Sequence, residues 1–205
     1  METECEAANG HSDAQEADLV RRAQQGRVEA FEAIFRRYQA RIYTFLRHMV
    51  GRPQEAEDLT QVTFVRAWDS IAGLRSPSAL GAWLHRIAAN AARDYLKSAR
   101  RRFEVPLVEQ ADDWLPAAGE SSGDPAQSVL DAEAKAAVRM AIAALPDQHR
   151  AVVVMHHLED MSVGDIARAL GVRPGTVMSR LSRAREALRD ALAQHLDVEA
   201  DSDEL

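Results

Sequence analysis

The sequence predicts an all-α protein of two small helical domains, an N-terminal helical bundle and a C-terminal four-helix domain with a helix-turn-helix, joined by a flexible acidic linker. Three observations carry that reading. Across 205 residues, β-branched runs are nearly absent, "VVV" at 152–154 being the main one, whereas Ala, Leu and Arg, all good helix formers, abound. Apolar residues recur at intervals of three and four in two separate blocks. Between the blocks, residues 104–128 hold Pro106, Pro116, Gly119, Gly123 and Pro125, a Ser pair and many acids without a sustained apolar period, the composition of a tether that has no core of its own.

Charge follows the same division. The net charge of -7 hides a segregation: residues 1–20, 104–134 and 190–205 hold six, eight and six acids and no Lys or Arg. All 25 bases lie in the other two blocks, 16 of them against 7 acids in 21–103 and 9 against 5 in 135–189. Two basic modules flanked by acidic segments are compatible with a polyanionic partner that the overall sign would argue against. The expected boundaries are a disordered acidic extension at 1–17, a first domain at 18–103, the linker at 104–128, a second domain at 129–192 and an acidic tail at 193–205.

In the first block Phe31, Ile34, Phe35, Tyr38, Ile42, Phe45, Leu46 and Met49 mark one face of a long helix that stops near Gly51 and Pro53. Phe64, Ala67, Trp68 and Ile71 repeat the spacing. After "GLRSPS", Leu80, Trp83, Leu84, Ile87, Ala88, Ala91 and Tyr95 do so again. Three amphipathic helices with aromatic faces suffice for a bundle, and Phe31, Phe35 and Phe45 are expected in its core. The other face of the third helix reads Arg86, Asn90, Arg93, Lys97 and Arg100, a stripe able to neutralise phosphates with release of counterions.

In the second block Ala134, Ala137, Val138, Ala141, Ile142 and Leu145 define a helix ending before Pro146, and "HRAVVVMHHL" supplies another. Val163, Ile166, Ala167 and Leu170 follow at i, i+3, i+4 and i+7 behind Ser162 as N-cap; Gly171 terminates that helix, and Val177, Leu181, Ala184 and Leu188 set the next face. Two short helices joined by a Gly-containing turn form a helix-turn-helix. Pro174 suits the first position of the second helix, where its missing N–H lacks an intrahelical partner anyway. Gly175 beside it leaves room for a phosphate at the positive end of the helix dipole. The face away from the core then presents Thr176, Met178, Ser179, Ser182 and Arg183, flanked by Arg173, Arg180 and Arg185. Arginine can read guanine bidentately in the major groove, and small hydroxyl residues let a helix lie deep.

At this point the chain resembles the extracytoplasmic-function (ECF) type of bacterial RNA polymerase sigma factor, over residues 18–192. "AEDLTQVTFVRAW" (56–68) is similar to that family's second conserved region, with its Asp-x-x-Gln-x-x-Phe core as Asp58, Gln61 and Phe64. "GVRPGTVMSRLSRAR" (171–185) is similar to the promoter-reading helix of its fourth region, and "AWLHRIAANAARDYL" (82–96) to the segment that engages the minus-ten element. The resemblance implies that Asp58, Gln61 and Phe64 dock on core RNA polymerase. It implies that Trp83, Arg86, Asn90, Arg93 and Lys97 hold the melted non-template strand at the minus-ten element. Arg173, Thr176, Ser179, Arg180, Ser182 and Arg183 would read duplex promoter DNA at minus thirty-five. It further implies an anti-sigma partner. Met178 departs from the family, where many relatives have Lys or Arg.

Other classes find little support. The sequence has no phosphate loop of the G-x-x-x-x-G-K form, no G-x-S-x-G and no H-E-x-x-H, so no enzyme is expected. The single cysteine, Cys5, and the adjacent His156 and His157 offer no spaced ligand set, so neither metal nor cofactor is expected. No apolar stretch reaches the roughly 18 residues of a membrane span, and the acidic N-terminus is unlike a signal peptide; a cytoplasmic protein without membrane insertion is expected. The alternative within DNA binding is a helix-turn-helix regulator that binds an operator and is not a polymerase subunit.

Overall fold

A computed structural model describes the backbone of residues 14–101 and 125–202, and the side chains of 14–100 and 134–193. Every regular element among the described residues is helical. Helix α1 covers 14–24, followed by α2 (Val28–Val50), α3 (Pro53–Ser70), single 3-10 turns at Ile71–Gly73 and Pro77–Ala79, and α4 (Leu80–Arg101). The second half contains α5 (Pro125–Ala144), α6 (Asp147–His157), α7 (Val163–Leu170) and α8 (Pro174–Ser202).

The first body is α1 to α4. Its core is the face read from the sequence: Ile34, Ile42, Phe45 and Leu46 on α2, Phe64 and Ala67 on α3, and Leu80, Leu84, Ala88 and Ala92 on α4 are buried. Phe31 and Phe35 lie at the edge of that core and meet α3 edge to face, Phe31 with Trp68 at 5.0 Å and Phe35 with Phe64 at 4.8 Å between ring centres. Helix α1 reaches back to residue 14, inside the segment expected to lack structure, because Val20 and Ala23 are buried and two side chains tie it down. Gln24 Nε2 donates to the carbonyls of Ile71 and Leu74 at 3.1 and 2.8 Å, and Tyr38 Oη donates to Glu16 Oε2 at 2.8 Å. Residues 1–13 of the extension lie outside the described residues.

The second body is α5 to α8. Helix α6 buries Val152, Val153, Val154 and Met155, so the β-branched run is helical here, tertiary burial outweighing a weak local propensity. Helix α5 begins at Pro125, inside the expected linker, since Pro fits a first helical position and a helix-forming sequence follows it. The rest of the linker, to residue 124, lies outside the described residues. Helix α8 continues to Ser202, well past the expected boundary at 192, a run of 29 residues and about 43 Å at 1.5 Å per residue.

The two bodies touch. Helix α7 packs on α4 and α6 on α2. Arg41 of α2 reaches the α6–α7 turn, Arg150 Nη1 donates to the Met49 carbonyl at 2.8 Å, and Arg100 Nη2 lies 2.8 Å from both carboxylate oxygens of Asp147.

Candidate nucleic-acid and polymerase-docking surfaces

Three exposed faces follow from these helices. The first is on α3. Pro53 opens that helix, and Ala56, Thr60, Thr63, Phe64 and Ala67 turn inward. The two threonine hydroxyls are satisfied by donating to the carbonyls of Ala56 and Leu59, each at 2.7 Å. Asp58 and Gln61 therefore stand outward together. Phe64 does not: at 4% exposure it fills the core between Phe31 and Phe35, beneath that outward face. Two residues the sequence reading passed over take its place on the surface, Val62 at 38% and Val65 at 61% exposed. With Asp58 and Gln61 they fall at i, i+3, i+4 and i+7, one outward stripe of a helix. Their offset from the Phe64–Ala67–Trp68 face was the available signal.

The second face is on α4. Leu80, Leu84, Ala88, Ala92, Leu96 and Ala99 anchor the helix, which leaves Arg86, Asn90, Arg93 and Lys97 exposed along one stripe. Arg93 Nη1 donates to Asn90 Oδ1 at 3.0 Å, holding both groups on that side. Trp83 is half-buried and packs against the core, with part of its ring left at the surface.

The third is the helix-turn-helix. Ser162 caps α7, its Oγ accepting from the Asp165 N–H at 3.1 Å. Gly171 ends α7 in the left-handed region at φ 65, where a Cβ is strained. Pro174 starts α8, and the Arg173 carbonyl accepts from Thr176 and Val177. A Cβ at Gly175 would meet nothing within 4 Å, so the chain's own packing does not require glycine there and the space outside is open. Val177, Leu181 and Ala184 are buried, leaving Met178, Ser179, Ser182 and Arg183 exposed, with Arg173 exposed just ahead of the helix and Thr176 half-buried. Ser179 Oγ donates to the Thr176 carbonyl at 3.0 Å and keeps its lone pairs for an incoming donor. Arg180 is only half exposed: its Nη2 donates to Gln148 Oε1 at 2.6 Å on the cleft side of α8. That cleft, about 470 Å³, runs between the two bodies and is also lined by Arg93, Lys97, Arg100 and Asp147.

A helix-turn-helix with its basic face outward and a second basic helix define a DNA-binding protein, and α3 presents a separate exposed face mixing an acid, an amide and apolar side chains. Comparison with known proteins narrows that class. The family profile for Sigma-70 region 2 matches residues 34–102 and that for Sigma-70, region 4 matches 135–188. The chain is 34% identical over 178 residues to the ECF RNA polymerase sigma factor SigE of Mycolicibacterium smegmatis, covering 87% of this chain and 67% of that one. It is 34% identical over 181 residues to the RNA polymerase sigma-H factor of Pseudomonas aeruginosa, covering 87% and 94%. Among solved structures, CnrH in complex with the cytosolic domain of CnrY superposes with a TM-score of 0.65 at 24% identity, over 88% of this chain and 98% of that one, a likeness of fold. The chain belongs to the ECF family of RNA polymerase sigma factors, and its function is to direct the polymerase to promoters for transcription initiation.

Proposed function

We propose that each exposed face performs one step of promoter selection. The stripe of Asp58, Gln61, Val62 and Val65 docks the chain on core polymerase, the two valines supplying apolar contact and the two polar groups orientation. Helix α4 holds the melted non-template strand of the minus-ten element, with Arg86, Arg93 and Lys97 on phosphates, Asn90 hydrogen-bonding, and the Trp83 ring available to stack on an unpaired base. Helix α8 reads the minus-thirty-five duplex through Arg173, Ser179, Ser182 and Arg183, with Thr176 and Arg180 at its flank. On this reading residues 18–103 and 129–192 are the two working bodies, the chain acts in the cytoplasm, and it catalyses no reaction of its own. Among the described residues no helix is long and apolar enough to cross a membrane.

The observation that carries the proposal is that two basic faces, on α4 and α8, and a third on α3 that mixes an acid, an amide and two valines are all exposed opposite buried apolar faces of the same helices. The chain is also proposed to have an anti-sigma partner, because structures sharing its fold include RpoE of Bartonella quintana in complex with the anti-sigma factor NepR, with a TM-score of 0.63. Transcription by purified core polymerase plus this chain on a genomic DNA library is the test. Initiation at defined sites is expected, and Asp58→Ala combined with Gln61→Ala should weaken competition for core enzyme about tenfold without loss of helicity. Sequence-specific DNA binding with no initiation anywhere would instead indicate an operator-binding regulator, and unchanged affinity of the double variant would remove the docking role from α3.

A further inference from the structure

The outward face of α8 carries one side chain that neither a phosphate nor a hydrogen-bonding base edge would attract. Met178 is 63% exposed, further out than any other of the large exposed apolar side chains among the described residues. A single apolar residue at the surface is ordinary, so its position carries the meaning. Met178 is the fifth residue of α8, within the opening turns that a recognition helix presents to base edges. It stands about 100° round the helix from Val177, the first buried anchor. That places it at one margin of the outward face, with Ser182 one turn further along the same side.

Its neighbours decide what can meet it. Gly175 adds no side chain, and Ser179 and Ser182 end at Oγ, so the methionine, which continues through Sδ to Cε, projects beyond the surface around it. Arg180 does not cover it: that side chain lies about 200° round the helix, bonded to Gln148 beside the cleft. Major-groove edges are built almost wholly of donors and acceptors, and a thioether is only a weak acceptor. Set against a carbonyl, a ring nitrogen or an amino group, Met178 would displace water without replacing its hydrogen bonds. The 5-methyl of thymine is the exception, the apolar group that the bases offer in that groove. Burying Cε against it is favourable, and an unbranched, flexible side chain can follow it.

We propose that Met178 is a specificity-determining contact of the minus-thirty-five element, reading the 5-methyl group of one thymine and disfavouring the other bases at that position. The inference rests on the duplex-reading role proposed above for α8, and it adds a contact of a different kind. Arg173 and Arg183 act through charge and hydrogen bonds, whereas Met178 selects by apolar contact with the right base and by leaving the polar edge of a wrong one unpaired. Because it carries no charge, it sharpens sequence preference without adding to the dependence of binding on salt.

The test uses core polymerase assembled with the full chain. Selection from a duplex library randomised in the upstream region identifies the preferred element. Each thymine in that element is then replaced singly by deoxyuridine, which removes the methyl and leaves every hydrogen-bonding group in place. With the wild-type chain, one such replacement is expected to weaken promoter binding about fourfold, the worth of one buried methyl group. With Met178→Ala the same duplex should bind equally well with thymine or deoxyuridine, and the dependence of affinity on log salt should be unchanged. Met178→Leu, apolar and of similar reach, should keep the sensitivity, and Met178→Gln should lose it. Met178 is exposed, so these changes leave the core intact, and the deoxyuridine series examines the contact in the unaltered protein. Methyl dependence at no thymine, or dependence that survives in Met178→Ala, would overturn the inference. So would a loss in Met178→Ala that is equal on every upstream sequence, which would place the side chain against the sugar–phosphate backbone. The two levels separate cleanly: a defined upstream preference without methyl dependence removes the Met178 contact alone, whereas a wild-type chain with no upstream preference removes the reading of α8 beneath it.

Discussion

Helices α4 and α8 both present cations to the outside, yet they are held in contrasting ways. Along its described length α4 is buried on α2, α3 and α7 through Leu80, Leu84, Ala88, Ala92, Leu96 and Ala99, which leaves a narrow outward stripe. Helix α8 is anchored through Val177, Leu181 and Ala184, with Leu188 at the margin, and shows a broad face to solvent. The cores beneath them differ too. From residue 125 onward the sequence contains no Phe, Tyr or Trp, whereas the first body interlocks Phe31, Phe35, Phe64 and Trp68. An aromatic side chain buries 150–250 Å² or so, so the second body has less apolar area of its own and makes up part of it against α2 and α4. Helix α4 is thus fixed in a deep core, and α8 is carried on a lighter module.

That contrast breaks if the second core proves the stronger. Phe45, with no exposed surface, should be the most expensive truncation, Phe45→Ala costing about 3–5 kcal/mol. Met155→Ala, equally buried in α6, should fall nearer the lower end of the 2–5 kcal/mol range, since a flexible thioether is more easily replaced by repacking. Urea unfolding of the two variants gives the comparison directly, and a larger loss for Met155→Ala would reverse it.

The pH dependence sharpens the same contrast because, among the described residues, the strongly shifted histidines are both in the first body. Burial, with help from the nearby Arg47 and Arg150 charges, pushes His48 down to about 3. Burial is also the main cause for His85, held at about 4 despite its hydrogen bond to Gly81, and Arg41 adds to the depression. A folded value below the unfolded 6.5 means that stability is complete above pH 6.5 and is lost as pH falls from there toward 4 and then 3. By pH 5.5 each histidine withdraws about 1.4 kcal/mol relative to pH 8. Glu159, raised chiefly by burial and lowered in part by Arg41, works in the opposite direction at more acidic pH. Thermal melts at pH 8 and 5.5 should differ accordingly, and His85→Asn should remove about half of the difference; a melt indifferent to pH would show that neither ring is held neutral.

Much of this was legible in the sequence, and the parts that were not have a common cause. Three- and four-residue spacing located α2, α3, α4 and the helix-turn-helix because each has one apolar face, and Ser162, Gly171 and Pro174 marked helix ends through local backbone chemistry. Spacing alone could not tell that Phe64 lies beneath the outward face of α3 and Val62 and Val65 on it, since a motif names residues without naming which way they point. Nor could it pair Arg41 with Glu159 or Arg100 with Asp147. Those contacts join positions far apart in the chain and leave no local pattern. Helix α1 was missed for a related reason: its apolar anchors are few, and it is secured by Gln24 and Glu16 through partners elsewhere.

The two basic helices proposed to contact DNA should also fail differently. Arg183→Ala, on the exposed face of α8, should reduce discrimination between a matched and a scrambled upstream element by about 1–3 kcal/mol. Lys97→Ala, on the α4 stripe, should instead lower affinity for every promoter and reduce the dependence of binding on log salt by about one unit, as expected for the loss of one phosphate contact. Run-off transcription on matched templates at several salt concentrations measures both. Equal losses on matched and scrambled templates for Arg183→Ala would place that residue on the backbone and not on a base.

The smallest effect tests whether the lighter module depends on its caps. Helix α7 has only 8 residues, too short to be stable by propensity, so its first turn relies on Ser162 Oγ accepting from the Asp165 N–H. The same hydroxyl donates to Asp165 Oδ2 at 2.6 Å, and Asp165 pairs with Arg168, so the cap is the start of a short exposed chain of polar contacts. Ser162→Ala should cost about 1 kcal/mol. Because α7 packs on α4 and carries the turn into α8, hydrogen exchange should quicken in α7 and at the start of α8 before it does in α2 and α3. If protection instead fell equally in all four helices, the two bodies would unfold as one cooperative unit, and the lighter core would be no weaker in practice than the aromatic one.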